Sequence, residues 1–178
     1  MTKQILTGQN ICLYPKSIAD ARLDYRWQKD AELMALSGNA PLRESFLEYL
    51  TRNVSAYDAA AGMESFAIRT QPENRHIGNC ALYNIDYAAG EAQLGIAIGE
   101  RDCWGKGYGL DTVMVLINYA FDQLGLVKLC LKTFENNNRA RRCFEKCGFT
   151  PCGALLQDGD HYVLMELVTS SRPKPSIE

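Results

Sequence analysis

Apolar residues at 110, 113, 114, 117, 120, 121 and 124 recur at the i, i+3, i+4, i+7 spacing of a helix with one face in a core. Gly125 follows as a residue suited to close it. The next run, VKLCLKT, alternates apolar residues with lysine and predicts a strand. ENNNRARRCFEKCGF supplies asparagine caps, a short helix and a closing Gly148. Leu155 and Leu156, then Asp158-Gly159, then HYVLMELV, predict a hairpin around a primed turn.

The first half carries weaker patterns. ICLYPKS predicts an opening strand, and a helix is expected from Ala19 to Leu36. SGNAPLRES breaks that pattern, and Glu44 to Ala61 reads as a second helix closed by Gly62. ESFAIRT alternates like a strand, QPENRH is a turn, and IGNCALYNID completes a hairpin. EAQLGIAIGE is a further strand, and Gly95 inside it marks an expected bulge. The order is strand, two helices, three strands, helix, strand, helix, strand pair. That order predicts an α/β chain with a mixed sheet, whose antiparallel front half meets a βαβ unit at a glycine-rich loop. One domain over residues 1–169 is expected, with the polar, proline-containing residues 170–178 as a loose tail.

Composition removes several function classes. At 178 residues the chain can bury one sizeable core. With 19 Lys+Arg against 21 Asp+Glu, nothing electrostatic argues for nucleic acid or a membrane surface as partner. No apolar run approaches the ~18 residues of a membrane span. The start MTKQILTGQN lacks a signal peptide's apolar segment, so a cytoplasmic location is expected. Seven cysteines form no CxxC and only two histidines accompany them, so free thiols in a reducing compartment are expected and no metal. Cys143 and Cys147, one helical turn apart, read as packing residues.

The chemistry is concentrated in DCWGKGYGL, residues 102–110, between a strand and the start of a helix. Helix-end N–H groups lack intrahelical partners and sit at the positive end of the dipole, and glycines let anionic oxygens reach them. A P-loop requires Gly-Lys followed by Ser or Thr, whereas Lys106 is followed by Gly107. The dinucleotide motif GxGxxG is not matched by Gly105-x-Gly107-x-Gly109. From the loop alone a bland turn and a generic nucleotide-phosphate loop stay open.

The stretch WGKGYG resembles the pyrophosphate loop of the GNAT acetyltransferases, whose pattern is Gln/Arg-x-x-Gly-x-Gly/Ala. Trp104 departs from the first position of that pattern but matches the branch resembling ribosomal-protein N-terminal acetyltransferases, the RimJ/RimL type. EAQLGIAI is similar to that branch's fourth strand. NNRARRCFEKCGF is similar to its Asn-x-x-Ala/Ser helix ending in Gly-Phe, and ICLYPKSIADARLDYRWQKDAEL to its opening strand and helix. The likeness spans about residues 5 to 168.

That resemblance implies the GNAT fold, a mixed and mostly antiparallel sheet with a splayed strand pair and flanking helices. It implies acetyl-CoA as co-substrate, no metal, and acetyl transfer to an amine of a protein N-terminus or small molecule. A homodimer is a further expectation, since sheet edges in such folds often pair. The cofactor's diphosphate would lie on Trp104, Gly105, Lys106, Gly107, Tyr108, Gly109 and Leu110, and its amide-rich arm along Ile96, Ala97 and Ile98. Asn137 would contact the arm, with an N-cap as its other reading. Arg139 would be adjacent to the pocket, where a nucleotide phosphate or plain solvent could hold it, and Ala140 and Phe144 would line the same helix. Phe144 stands where many relatives carry a tyrosine acid and Ala140 where some carry serine, and neither has a proton to give. Cys143 is expected to point elsewhere, leaving water to protonate the departing thiolate, or else an inactive acetyl-CoA-binding module. Gln93 replaces a glutamate of the branch, so Glu91 and Glu64 become the candidate bases, each with a solvated strand-end carboxylate as its plainer reading.

Overall fold

The computed structural model describes residues 4–53 and 62–171. Its elements, in chain order, are β1 (Leu6–Thr7), β2 (Ile11–Pro15), α1 (Ala21–Lys29), α2 (Ala31–Ala35), α3 (Phe46–Asn53), β3 (Met63–Thr70) and β4 (His76–Asp86). There follow β5 (Glu91–Ile98), α4 (Tyr108–Asn118), β6 (Lys128–Phe134), α5 (Asn138–Lys146), β7 (Thr150–Gln157) and β8 (Asp160–Val168). The strands form one eight-stranded sheet in the order β1-β2-β3-β4-β5-β6-β8-β7. Every neighbouring pair is antiparallel except β5 with β6, which α4 connects.

The helical period read from the second half holds. Val113, Leu116, Ile117, Ala120 and Phe121 are buried in one cluster with Ile11 and Leu13 of β2, Phe66 and Ile68 of β3, and Leu129 of β6. Leu110, counted by the pattern as core-facing, is exposed instead. After Asn118 the helix widens into a π turn over Tyr119–Gln123, and Gly125 closes it at φ 68°. Asp158 and Gly159 both take positive φ, so the last hairpin has the primed turn its sequence predicts.

Three expectations require correction. The helix from Ala19 to Leu36 is broken at Asp30, whose ψ of 113° is extended. Asp30 Oδ1 accepts from the N–H groups of Glu32 and Leu33, so the residue ends α1 and caps α2. The helix expected from Glu44 starts at Phe46, because Ser45 and Glu48 form a reciprocal cap; its expected end lies outside the described residues, as do residues 172–178 of the tail. Gly95 is not a bulge. It pairs in register with Ala81, and the register shift between β4 and β5 falls between Tyr83 and Asp86. What Gly95 supplies is room: a Cβ there would stand 3.2 Å from the Tyr83 ring.

The feature that makes a site is the junction of β5 and β6. Their parallel pairing runs only from Glu91↔Lys128 to Gln93↔Cys130, although the strands continue to Ile98 and Phe134. From Leu94 onward they diverge.

Candidate active site

Backbone groups alternate sides along a strand. Gly90 O accepts from Lys128 N on the β6 side, whereas Gly99 N donates to Ile77 O on the β4 side. Even-numbered residues of β5 therefore turn their N–H and C=O toward the gap. The carbonyl of Ile98 is met there by the indole N–H of Trp104 at 2.8 Å. On its other side the Trp104 ring lies 4.0 Å beneath the Arg139 guanidinium. The tryptophan at the first loop position thus ties β5 to α5 across the mouth of the gap.

The loop delivers bare amides to the same mouth. Gly105 and Gly107 take φ of 74° and 86°, a region costly for residues with a Cβ. Gly107 is the N-cap of α4 and brings no side chain to cap it, so the N–H groups of Tyr108, Gly109 and Leu110 keep their helix-end freedom. Gly109 faces α5, where a Cβ would stand 3.8 Å from Cys143 Sγ. Asp111, next in the helix, is turned away: its carboxylate accepts from the backbone N–H of Gln9, Asn10 and Ile11 and ties α4 to the β1–β2 turn.

A cleft of about 1170 Å³ joins these parts. It is lined by Ile96, Ala97, Ile98, Trp104, Gly105, Gly107, Tyr108, Gly109, Leu110, Asn137, Arg139, Ala140 and Phe144, which are all the residues expected at the cofactor except Lys106. Asn137 is the N-cap of α5, its Oδ1 accepting from Ala140 N at 3.1 Å, and it lines the cleft as well. Cys143 also lines the cleft, against the expectation that it points elsewhere. A hydrogen bond from the buried Cys147 thiol holds the Cys143 thiol below its ordinary range, with Lys146 adding to the effect. The same bond, with burial, pushes Cys147 far upward.

Glu64 and Glu91 are not brought to the cleft. Glu91 sits at the paired end of β5, 3.4 Å from Lys128 Nζ. Glu64 on β3 pairs with Leu82 of β4, and burial together with the Glu64 charge pushes the Tyr119 hydroxyl upward. Among the described residues lining the cleft, the carboxylate is that of Asp24 on α1. Asp24 is buried; it accepts from Lys16 Nζ at 2.5 Å and from Asn79 Nδ2 at 2.7 Å, while Asn79 Oδ1 accepts from Lys16 at 2.8 Å. Asn79, Tyr83 and Tyr162 line the far part of the cleft unforeseen, since nothing local distinguishes a strand Asn or Tyr whose neighbours are supplied by the fold.

The helices covering that far part are clamped to the loop. Trp27 of α1 lies against Gly99, where a Cβ would stand 2.3 Å from its ring, and its indole donates to Glu100. Arg101 pairs with Asp30 and Glu32, both at 2.8 Å, and so holds the start of α2. Among the described residues, no group of three or more His, Cys, Asp or Glu could hold a metal ion, and no helix is long and apolar enough to cross a membrane.

Residues 10–150 match the model of the acetyltransferase (GNAT) domain. Among curated proteins, the chain is 25% identical to the human alpha/beta-tubulin-N-acetyltransferase 9, over 96% of this chain and 92% of that one. It is 24% identical to an N-acetyltransferase p20 of Bacillus licheniformis, over 87% and 86% of the two chains. Among solved structures, it resembles spermidine N-acetyltransferase of Vibrio cholerae in complex with CoA and spermine. That match has a TM-score of 0.78 at 22% identity and covers 90% of this chain and 96% of that one.

Proposed function

The chain belongs to the acetyltransferase (GNAT) family, and from that premise we propose that it moves an acetyl group from acetyl-CoA to the α-amine of a peptide or small amino compound. The observation that carries this reading is the meeting of uncapped α4 amides with a strand gap in one cleft. The residues fit the co-substrate. Amides of Tyr108, Gly109 and Leu110 suit a diphosphate, Arg139, Arg142 and Lys146 on the same wall suit further phosphate, and the gap-facing groups of β5 suit an amide-rich arm. Trp104 already uses the Ile98 carbonyl, so Leu94, Ile96 and the Ile98 N–H are left to bond the arm, and the N–H of Ile96 or Ile98 is the donor for charge developing on the acetyl oxygen. The likeness to ribosomal-protein N-terminal acetyltransferases, carried by Trp104, EAQLGIAI, the Asn helix and the opening strand and helix, supports a peptide acceptor.

Acetyl-CoA supplies the activated acetyl group; the chain's task is to position the amine against it. Phe144 and Ala140 offer no proton to the leaving sulfur, and a free thiol's pKa near ~8.5 makes water sufficient for that step. With Glu64 and Glu91 outside the cleft, solvent takes the amine's proton. An α-amine of pKa ~7.7–8.0 suits such a site, because about a quarter is neutral at pH 7.4, against about a thousandth of a lysine-like amine. Positioning can contribute roughly 7–11 kcal/mol of barrier lowering without acid or base.

A second reading, an acetyl-CoA-binding module without turnover, is favoured by Phe144 and Ala140. A thiol-release assay of the purified chain with α-amino peptides, free amines, polyamines and aminoglycosides separates the two. Turnover is expected with α-amines. CoA binding without turnover of any amine supports the module, and tight ATP binding without CoA binding defeats both.

A further inference from the structure

The charges on the cleft wall are lopsided. Among the described residues, Asp24 is its one carboxylate, whereas Arg52, Lys132, Arg139, Arg142 and Lys146 bring cations. Asp24 is moreover met by Lys16 at 2.5 Å, so its charge is compensated within the protein. Arg139, Arg142 and Lys146 lie on α5 beside the glycine loop, where the co-substrate's phosphates account for them. Two cations then remain for the acceptor. Arg52 shares its charge with Glu44. Lys132 on β6 is different: its ammonium donates to the neutral Gln157 Oε1 at 2.9 Å, sits 4.9 Å from the centre of the Tyr162 ring, and meets no carboxylate among the described residues.

A triamine placed in this cleft would have one compensated carboxylate for all its ammonium groups and would face Lys132, the cation that no carboxylate compensates among the described residues. An acceptor carrying carboxylates has the opposite experience, since Lys132 gains the partner that the fold does not give it. We propose that the acceptor is anionic beyond its reacting amine: an α-amine followed closely by carboxylate, as in an acidic peptide N-terminus or an acidic amino acid, with Lys132 as the residue that selects it. This rests on the reading of the cleft as an N-acetyltransferase site.

The test compares kcat/KM of the full chain for matched peptides whose second to fourth residues are acidic, neutral or basic, with free glutamate and spermidine as further arms. The acidic peptide is expected to exceed the basic one severalfold, with a gap that narrows as salt is raised. Glutamate used as well as the acidic peptide would identify a small-molecule source of the same chemistry. Lys132→Glu should reverse the order and Lys132→Arg restore it, which a merely structural lysine would not do. Equal use of acidic and basic peptides, or preference for spermidine, overturns the proposal. If nothing turns over, calorimetry of the same peptides on the CoA-loaded chain reads the preference. Acidic peptides bound without turnover would fell the enzymatic reading alone, and no difference in binding would fell this one.

Discussion

Replacing Gly107 by alanine separates what the loop does for the fold from what it does for the ligand. Gly107 sits at φ 86°, ψ −12°, and a Cβ there meets nothing within 4 Å. The cost to the free protein is therefore backbone strain alone, about 1–2 kcal/mol. In a chain of this length each kcal/mol moves Tm by about 2–4 °C, so a fall of about 2–8 °C is expected. Gly125 provides the control: φ is 68°, its Cβ position is equally empty, and it does not line the cleft. Gly125→Ala should lose a similar Tm. Only at Gly107 does the new methyl stand at the amides proposed for the diphosphate. One charge-assisted hydrogen bond contributes roughly 1.5–3 kcal/mol, so displacing the anion from a single amide weakens CoA binding by roughly ten- to a hundredfold. Thermal melts without ligand and calorimetry with CoA measure the two effects apart. A Gly107→Ala chain that melts early yet binds CoA like the parent would refute the anion-loop argument, as would an equal loss of binding in Gly125→Ala.

Asp111→Ala removes the acceptor of three backbone N–H groups at Gln9, Asn10 and Ile11 and should cost about 1–3 kcal/mol in urea denaturation; an unmoved midpoint would show the β1–β2 turn holds without it. Burial, with Lys16 nearby, pulls the His76 imidazole below its ordinary pKa, so the unfolded chain binds the proton first as pH falls. Its contribution is whole above the unfolded value near ~6.5 and is lost below it, so Tm should be level from pH 7 to 8 and decline under pH 6.5. His76→Gln should flatten that decline, and an unchanged decline would assign it elsewhere. Cys143, lowered by the Cys147 thiol and placed in the cleft, should be alkylated by iodoacetamide at pH 7 ahead of the exposed Cys152, and CoA should slow it; the reverse order in peptide mass spectra would contradict this.

Where the sequence was legible, one short segment contained the whole cause. The α4 face follows from spacing, the β7–β8 turn from Asp158-Gly159, and the glycine loop that opens α4 from three glycines before a helix. The break at Asp30 was missed although KDAE contains its own cap, because the apolar pattern runs across it and the competing side-chain bond does not alter periodicity. Gly95 misled for another reason. A strand glycine can mean a bulge or a close neighbour, and here the neighbour is Tyr83, twelve residues earlier and one strand away. Asp24, Asn79 and Lys16 come from α1, β4 and the segment after β2, so only the closed sheet makes them a cluster. Glu64 and Glu91 looked suitable on chemistry alone; their register with Leu82 and Lys128 is what keeps them off the cleft.

A site without its own proton acceptor must take its pH dependence from the substrate, and this yields a quantitative test. If solvent receives the proton, the rate follows the neutral fraction of the acceptor. Between pH 7.4 and 9.4 that fraction rises roughly three- to fourfold for an α-amine of pKa ~7.8 and roughly ninetyfold for an amine of pKa ~10.4. Single-turnover rates with saturating acetyl-CoA, for a peptide α-amine and a lysine side chain presented in matched peptides, should therefore converge as pH rises. A carboxylate or imidazole acting as base would add its own pKa to both profiles and leave the gap between the acceptors smaller at neutral pH. Two profiles that share an inflection below pH 7 would require such a group, and Asp24, released from Lys16 by the bound acceptor, would be the residue to replace first.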